Sequence, residues 1–399
     1  MFGRIGFRGY TAEDLVGEGE GAITLSPTNM DGIKMNYEAC SYLRWEKYYE
    51  SPEIMVRNGD VLLVKTASVG KCSFVENLPM ESTVNPQILV LKNHKDCAKF
   101  IAYVFQTAIG TYYIDTTKGG STIYTISQEK IGNYKIPFPP LPEQKAIADF
   151  LDKKCAEIDG LLADLEAEVK TLAEYKKSII AETVTRGLNP NAPTKQSGIP
   201  WAETIPAHWT TEKGKYLFVL RRTKGNPHNL ELMSPTQKFG VIPQSQVEGV
   251  VLVKEKTDLN TFRTIRPGDF CISLRSFQGG FEYSKYEGVV SPAYQVFYPI
   301  KPIADGYFKY MLKSDGFISY INTFSMSLRD GKNIAFEDFG NSYIPTPPIE
   351  EQEAIAAYLN KKCAMIDQST ADKQTQIETL KSYKSSLIYE YVTGKKQVI

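Results

Sequence analysis

The chain has 399 residues, with 46 Lys+Arg balanced by 46 Asp+Glu, and a formal net charge of zero. That length suggests two or more domains, and the balanced charge counts against a general polyanion binder while leaving room for local basic faces. No apolar run approaches a membrane span, no signal peptide opens the chain, and the six cysteines show no CxxC spacing, so they read as reduced, buried thiols of a cytoplasmic protein.

Residues 1–140 read as a first mixed domain. Strand-like alternation covers Asp60–Val64 and Gln87–Leu91, and a helical pattern runs from Cys97 to Ile109. A long heptad pattern follows over 141–187. Leu151, Ile158, Leu165, Leu172 and Ile179 recur every seven residues, with Cys155, Leu162 and Val169 between them, which is coiled-coil spacing. Prolines just ahead of the pattern suit a helix start, and Glu143 then lies at the positive end of the macrodipole. At 1.5 Å per residue, about 45 residues give a rod of roughly 65–70 Å. Residues 188–198 are a breaker-rich linker. Residues 199–348 read as a second mixed domain, and 349–399 as a second long helix with a tail. That helix carries Leu359, Ile366, Leu380 and Leu387 on its seam, with Cys363 and Ile377 between.

The second half repeats the first. At a shift of about 208 residues the two helical stretches agree at roughly half their positions without a gap. Ile136-Pro137-Phe138-Pro139-Pro140-Leu141-Pro142-Glu143-Gln144 matches Ile344-Pro345-Thr346-Pro347-Pro348-Ile349-Glu350-Glu351-Gln352. Tyr175-Lys176 matches Tyr383-Lys384, and one polar residue at the same seam position of each helix favours packing of the two helices on each other in a fixed register. The mixed domains match more faintly, through Ser26-Pro27-Thr28 with Ser234-Pro235-Thr236 and Arg57-Asn58-Gly59-Asp60 with Arg266-Pro267-Gly268-Asp269. The expected fold is therefore α+β: two mixed α/β domains separated by two long helices packed as an antiparallel coiled coil, in a pseudo-two-fold internal repeat. The second domain opens with Ile199-Pro200-Trp201, Ile205-Pro206 and His208-Trp209. The first has no such opening, so its N-terminal opening reads as missing.

Catalytic motifs are not apparent. Three histidines, His94, His208 and His228, have no ligand spacing. Gly17-Glu18-Gly19-Glu20-Gly21 places glutamates where a phosphate would sit, and Asn85-Pro86-Gln87-Ile88 lacks the second proline and the aromatic of an adenine-methyltransferase motif. What the sequence does offer is basic, hydroxyl and amide residues in loops at equivalent places of the two halves. In the first domain these are Lys65, Thr66, Ser68 and Lys71, then Lys118, Ser121 and Thr122. In the second they are Arg275, Ser276 and Gln278, then Ser327, Arg329 and Lys332. Such donors suit base edges and phosphates, and glycines beside them allow close backbone approach. Solvated loops are the bland alternative for each one taken alone.

The two Ile-Pro-x-Pro-Pro-x-x-Glu-Gln openings, the Ala-Ile-Ala and Leu-x-Lys-Lys-Cys stretches after them, the helix ends at Val184-Thr185-Arg186-Gly187 and Val392-Thr393-Gly394, and Ile205-Pro206-Ala207-His208-Trp209 together resemble the DNA-specificity subunit of Type I restriction-modification systems. The resemblance covers essentially the whole chain. It implies two target-recognition domains, each reading one half of a bipartite site in double-stranded DNA. It implies a helix pair that sets the unread spacer and docks two modification (methyltransferase) subunits, with restriction (translocase/nuclease) subunits joining them. It further implies no catalysis and no cofactor in this chain, with S-adenosylmethionine, ATP and Mg on the partner subunits. The alternative readings are a truncated or silent specificity cassette, a stand-alone DNA-modifying enzyme, and a scaffold that uses the coiled coil alone.

Overall fold

The computed structural model describes residues 1–3, 9–92, 95–119, 124–225, 230–247, 259–272, 280–325 and 334–398. The chain divides into two compact units, Met1–Glu166 with Gln374–Ile399, and Ala167–Lys373. Four helices organise them: α1 (Ala98–Phe105), α2 (Leu141–Arg186), α3 (Asp305–Met311) and α4 (Ile349–Val392). Pro142 sits in the first turn of α2, where its missing N–H is no loss. Gly187 ends the helix in the left-handed region at φ 73°, its N–H bonded to the Thr183 carbonyl at 3.0 Å.

In the first unit a four-stranded antiparallel sheet runs in the order Phe2–Gly3, Ile88–Leu91, Val61–Val64, Cys72–Phe74. Its central strands are apolar on both faces because both faces are covered. Val61, Leu63 and Leu89 pack under α1 with Ala102 and Phe105. Leu62, Val64, Ile88 and Val90 face Ile23 and Leu25 of a second sheet. That second sheet runs Leu15–Val16, Ser41–Arg44, Gly21–Leu25, Ser82–Val84, with its last pair parallel. On the far side of α1, Phe100, Tyr103 and Val104 meet Ile147, Leu151 and Cys155 of α2.

The second unit repeats the first sheet strand for strand: Phe218–Leu220, Gln295–Pro299, Phe270–Ile272, Phe281–Tyr283. One face is aromatic. Phe218, Phe270, Phe281 and Phe297 pack with Phe308 of α3, Phe317 and Phe339, mostly edge-on or tilted. The other face sets Cys271 and Val296 against Met233, Val241, Ile265 and Val290.

Within each unit α2 and α4 run antiparallel. In the first, Phe150 lies against Tyr391, Asp159 meets Lys384, and Glu166 meets Lys381. In the second, Glu168 meets Lys373 and Lys176 meets Asp367. Leu151, Ile158, Ile179, Leu359, Ile366 and Leu387 are buried, and Leu165, Leu172 and Leu380 are half-buried.

Two expectations need correction. The helical pattern at Cys97–Ile109 is not one helix. It ends at Phe105, and a new helix starts at Ala108, with Thr107 extended between them at ψ 166° and its hydroxyl donating to the Val104 carbonyl at 2.7 Å. Nor are all the thiols buried: all six cysteines are free, but Cys40 and Cys97 are only half-buried.

Candidate functional site

In the first unit the two candidate loops converge. Thr66 bridges Thr125, the Ala67 N–H donates to the Tyr124 carbonyl at 2.9 Å, and Gly119 bridges Thr125. Ala67 adopts φ 65°, a left-handed turn that L side chains rarely take, which sharpens this loop. Thr66 and Ser68 therefore share one edge with Lys118. Lys118 lies over the Tyr124 ring at 4.4 Å and pairs with Asp115 at 2.6 Å. Lys71 leaves the group, donating to the Pro27 carbonyl at 2.8 Å, while Lys65 anchors the loop through its backbone to Gln87 and Ile126. Ser121, Thr122, Arg275, Ser276, Gln278, Ser327, Arg329 and Lys332 lie outside the described residues.

The helix seam carries the polar geometry that the Lys176 and Lys384 positions pointed to. Lys176 Nζ reaches both oxygens of Asp367 at 2.6 and 2.7 Å. At the repeat-equivalent place Lys384 Nζ meets Asp159 at 2.5 Å. Buried Cys155 and Cys363 lie beside these pairs, and burial pushes both thiols up from their ordinary value.

Sequence inspection missed how each mixed domain is fastened to its helix. Gln144 and Gln352, the last letters of the repeated opening motif, are almost fully buried at 0% and 3% exposure. Gln144 Oε1 accepts from the Cys97 N–H ahead of α1, and Gln352 Oε1 accepts from the Ala304 N–H ahead of α3, both at 2.9 Å. Their amides donate to the Pro139 and Pro347 carbonyls, both at 2.8 Å. One side chain thus satisfies a helix-start N–H and a turn carbonyl that would otherwise be buried unpaired. About two turns further along α2 and α4, Tyr103 donates to Asp152 at 2.8 Å and Tyr310 to Asn360 at 2.9 Å. Burial, then the bond to Asp152, drives the Tyr103 phenol well up. The repeated Glu-Gln of the two openings marks both positions as matched, but nothing in it sets the buried glutamine apart from the glutamate before it.

In the second unit Glu351 gathers the opening of that domain. Its Oε2 takes Trp209 Nε1 at 2.9 Å and His208 Nε2 at 2.7 Å. A Cβ on Gly187 would stand 2.7 Å from Glu351 Oε1 and 3.1 Å from Trp209, so the helix end closes tightly over this group. Buried Tyr307 donates to the carbonyls of Val184 and Pro345. Among the described residues no group of three His, Cys, Asp or Glu could hold a metal ion, and no helix is long and apolar enough to cross a membrane.

A family model described as the Type I restriction modification DNA specificity domain matches residues 27–171 and again 204–379. The type I restriction enzyme MjaVIII specificity subunit of Methanocaldococcus jannaschii is 23% identical over 363 residues, covering 87% of this chain and 81% of the relative. The EcoKI specificity subunit of Escherichia coli is 23% identical over 331 residues, covering 77% and 67%. A solved structure concerned with complex assembly and conformational transition of the type I R-M system shares the fold at a TM-score of 0.70 and 15% identity, covering 94% of this chain and 92% of that one.

Proposed function

This chain belongs to the Type I restriction modification DNA specificity domain family, and from that membership we propose that it is the DNA-recognition subunit of a restriction-modification complex. Each mixed domain reads one half of a bipartite duplex site, and α2 with α4 sets the unread spacer. The same helices dock two modification subunits, to which restriction subunits are added. The chain itself performs no catalysis and works in the cytoplasm. S-adenosylmethionine, ATP and Mg act on its partners.

The observation that carries this reading is the repeated fastening. The same Gln bond, the same tyrosine bond and the same Lys–Asp pair hold each mixed domain and seam in the same way. The anchoring is thus kept while the loops of the two domains diverge, which is what two readers of different sequences on one scaffold require. The test is co-expression with the modification subunit in a host free of adenine methylation. Methylation should need both chains. Methylation by the modification subunit alone, on the same sites, would remove the recognition role from this chain.

A further inference from the structure

The second unit holds an open cleft of about 420 Å³ between the hairpin Met233–Thr236/Gly240–Pro243, the strand Phe281–Tyr283 and α3. Lys238 enters it from the hairpin turn, Lys285 from the end of the strand and Lys309 from α3. Among the described residues none of these three lysines has an ion-pair partner. Burial, and after it the charge of Lys285, holds the Lys309 ammonium below its ordinary value. The rim carries two exposed aromatics, Phe239 at 65% and Tyr286 at 42%, with the amide of Gln246 also lining the cleft.

The wall of the cleft is fixed. Lys313 donates to Glu282 at 2.7 Å and to the Gln237 carbonyl at 2.6 Å, and Glu282 is 1% exposed. The bond to Gln237 ties the hairpin turn to the segment just past α3, while Lys238, Lys285 and Lys309 line the cleft. The pocket beside the Gly32 turn of the first unit is built differently, because α2 and α4 supply Asp159, Glu166 and Lys384 to its lining beside Asp31 and Lys34.

We propose that this cleft is a duplex-DNA contact of the second domain, with Lys238, Lys285 and Lys309 on backbone phosphates and Gln246 on a base edge. The assignment rests on the DNA-specificity reading above. Phosphate is the anion that matches three separated ammonium groups, and lysine contacts of this kind position a duplex without reading it. Gln can accept from and donate to adenine at N6 and N7, and an exposed aromatic beside it can meet a thymine methyl.

The test uses the chain assembled with its modification subunit, on duplexes bearing the motif that the complex itself methylates. The variant K238A/K285A/K309A should lower the slope of log affinity against log salt by about 2 to 3, and weaken binding tenfold or more at ~0.1 M salt. The arginine version, K238R/K285R/K309R, should restore the slope, which a folding defect would not allow. Gln246→Ala should relax one position of one half-site only. An unchanged salt slope in the alanine variant would overturn the proposal and leave the specificity reading intact, as would loss of the modification subunit in place of DNA. If the wild-type complex binds no DNA specifically, the specificity reading itself fails.

Discussion

Lys176 holds both carboxylate oxygens of Asp367, at 2.6 and 2.7 Å, and Lys384 holds Asp159 in the repeat-equivalent pair. The lysine of each helix finds the aspartate of the other, with roles exchanged. Only an antiparallel register allows that exchange, so the pairs specify how the helices meet. The lysines are partly shielded but Asp367 is 62% exposed, so neutralising one pair should cost only up to about 1 kcal/mol. Asp367→Lys, which sets like charges together, should lower the urea midpoint clearly, and the swap Lys176→Asp with Asp367→Lys should recover most of it. Additive losses in that double-mutant cycle would show that the pair does not set the register.

The buried glutamines matter more for stability. Gln352→Leu leaves the Ala304 N–H and the Pro347 carbonyl unmet in a buried site. Each orphaned group costs about 1–3 kcal/mol. Urea denaturation should register that loss, and Gln144→Leu should produce the same kind of loss in the first unit. Variants within about 0.5 kcal/mol of wild type would mean that water replaces the side chain.

Gly187 has no room for a methyl group. Its φ of 73° already disfavours any other residue, and a Cβ would press on Glu351. Gly187→Ala should destabilise the second unit by more than about 1 kcal/mol. Glu351→Gln keeps an acceptor for the Trp209 indole, whereas Glu351→Ala removes it. The alanine variant should therefore show the larger shift in tryptophan emission and the larger loss of stability.

Glu282 makes stability depend on pH. Burial drives its carboxyl up to about 7, against the opposing pull of Lys313. A carboxyl raised on folding binds its proton more tightly in the native state, so its contribution is full below the unfolded value, near 4.5, and is lost as pH rises through about 7. The stability of the second unit should fall by roughly a few kcal/mol across that window, and Glu282→Gln should flatten the slope. A slope that survives the substitution would assign the effect to other groups.

Much of the fold could be read from local pattern. Seven-residue recurrence pointed to two long helices packed on each other, and the shift of about 208 residues to the internal repeat, whereas the aspartate partners of Lys176 and Lys384 emerge only from the structure. The break at Thr107 was hidden because an apolar pattern continues across it, and only a side chain bonding back to Val104 marks the stop. The burial of Gln144 and Gln352 depends on α1 and α3 packing from far along the chain, so no local pattern announces it. The basic cleft was hidden for the same reason. Lys238, Lys285 and Lys309 come from three elements, and no window of sequence contains them together. The loops at Thr66 and Lys118 stand out by their equivalent places in the two halves, but only the bridges through Thr125 show that they share one edge.

The most direct measurement is a methylation map. The chain is co-expressed with its modification subunit in a host lacking adenine methylation, and modified adenines are located by long-read sequencing. Two short defined elements, separated by a fixed run of undefined bases, are the predicted result. A single uninterrupted motif, or no motif from a complex that nonetheless assembles, would contradict the account of two readers held apart by one helix pair.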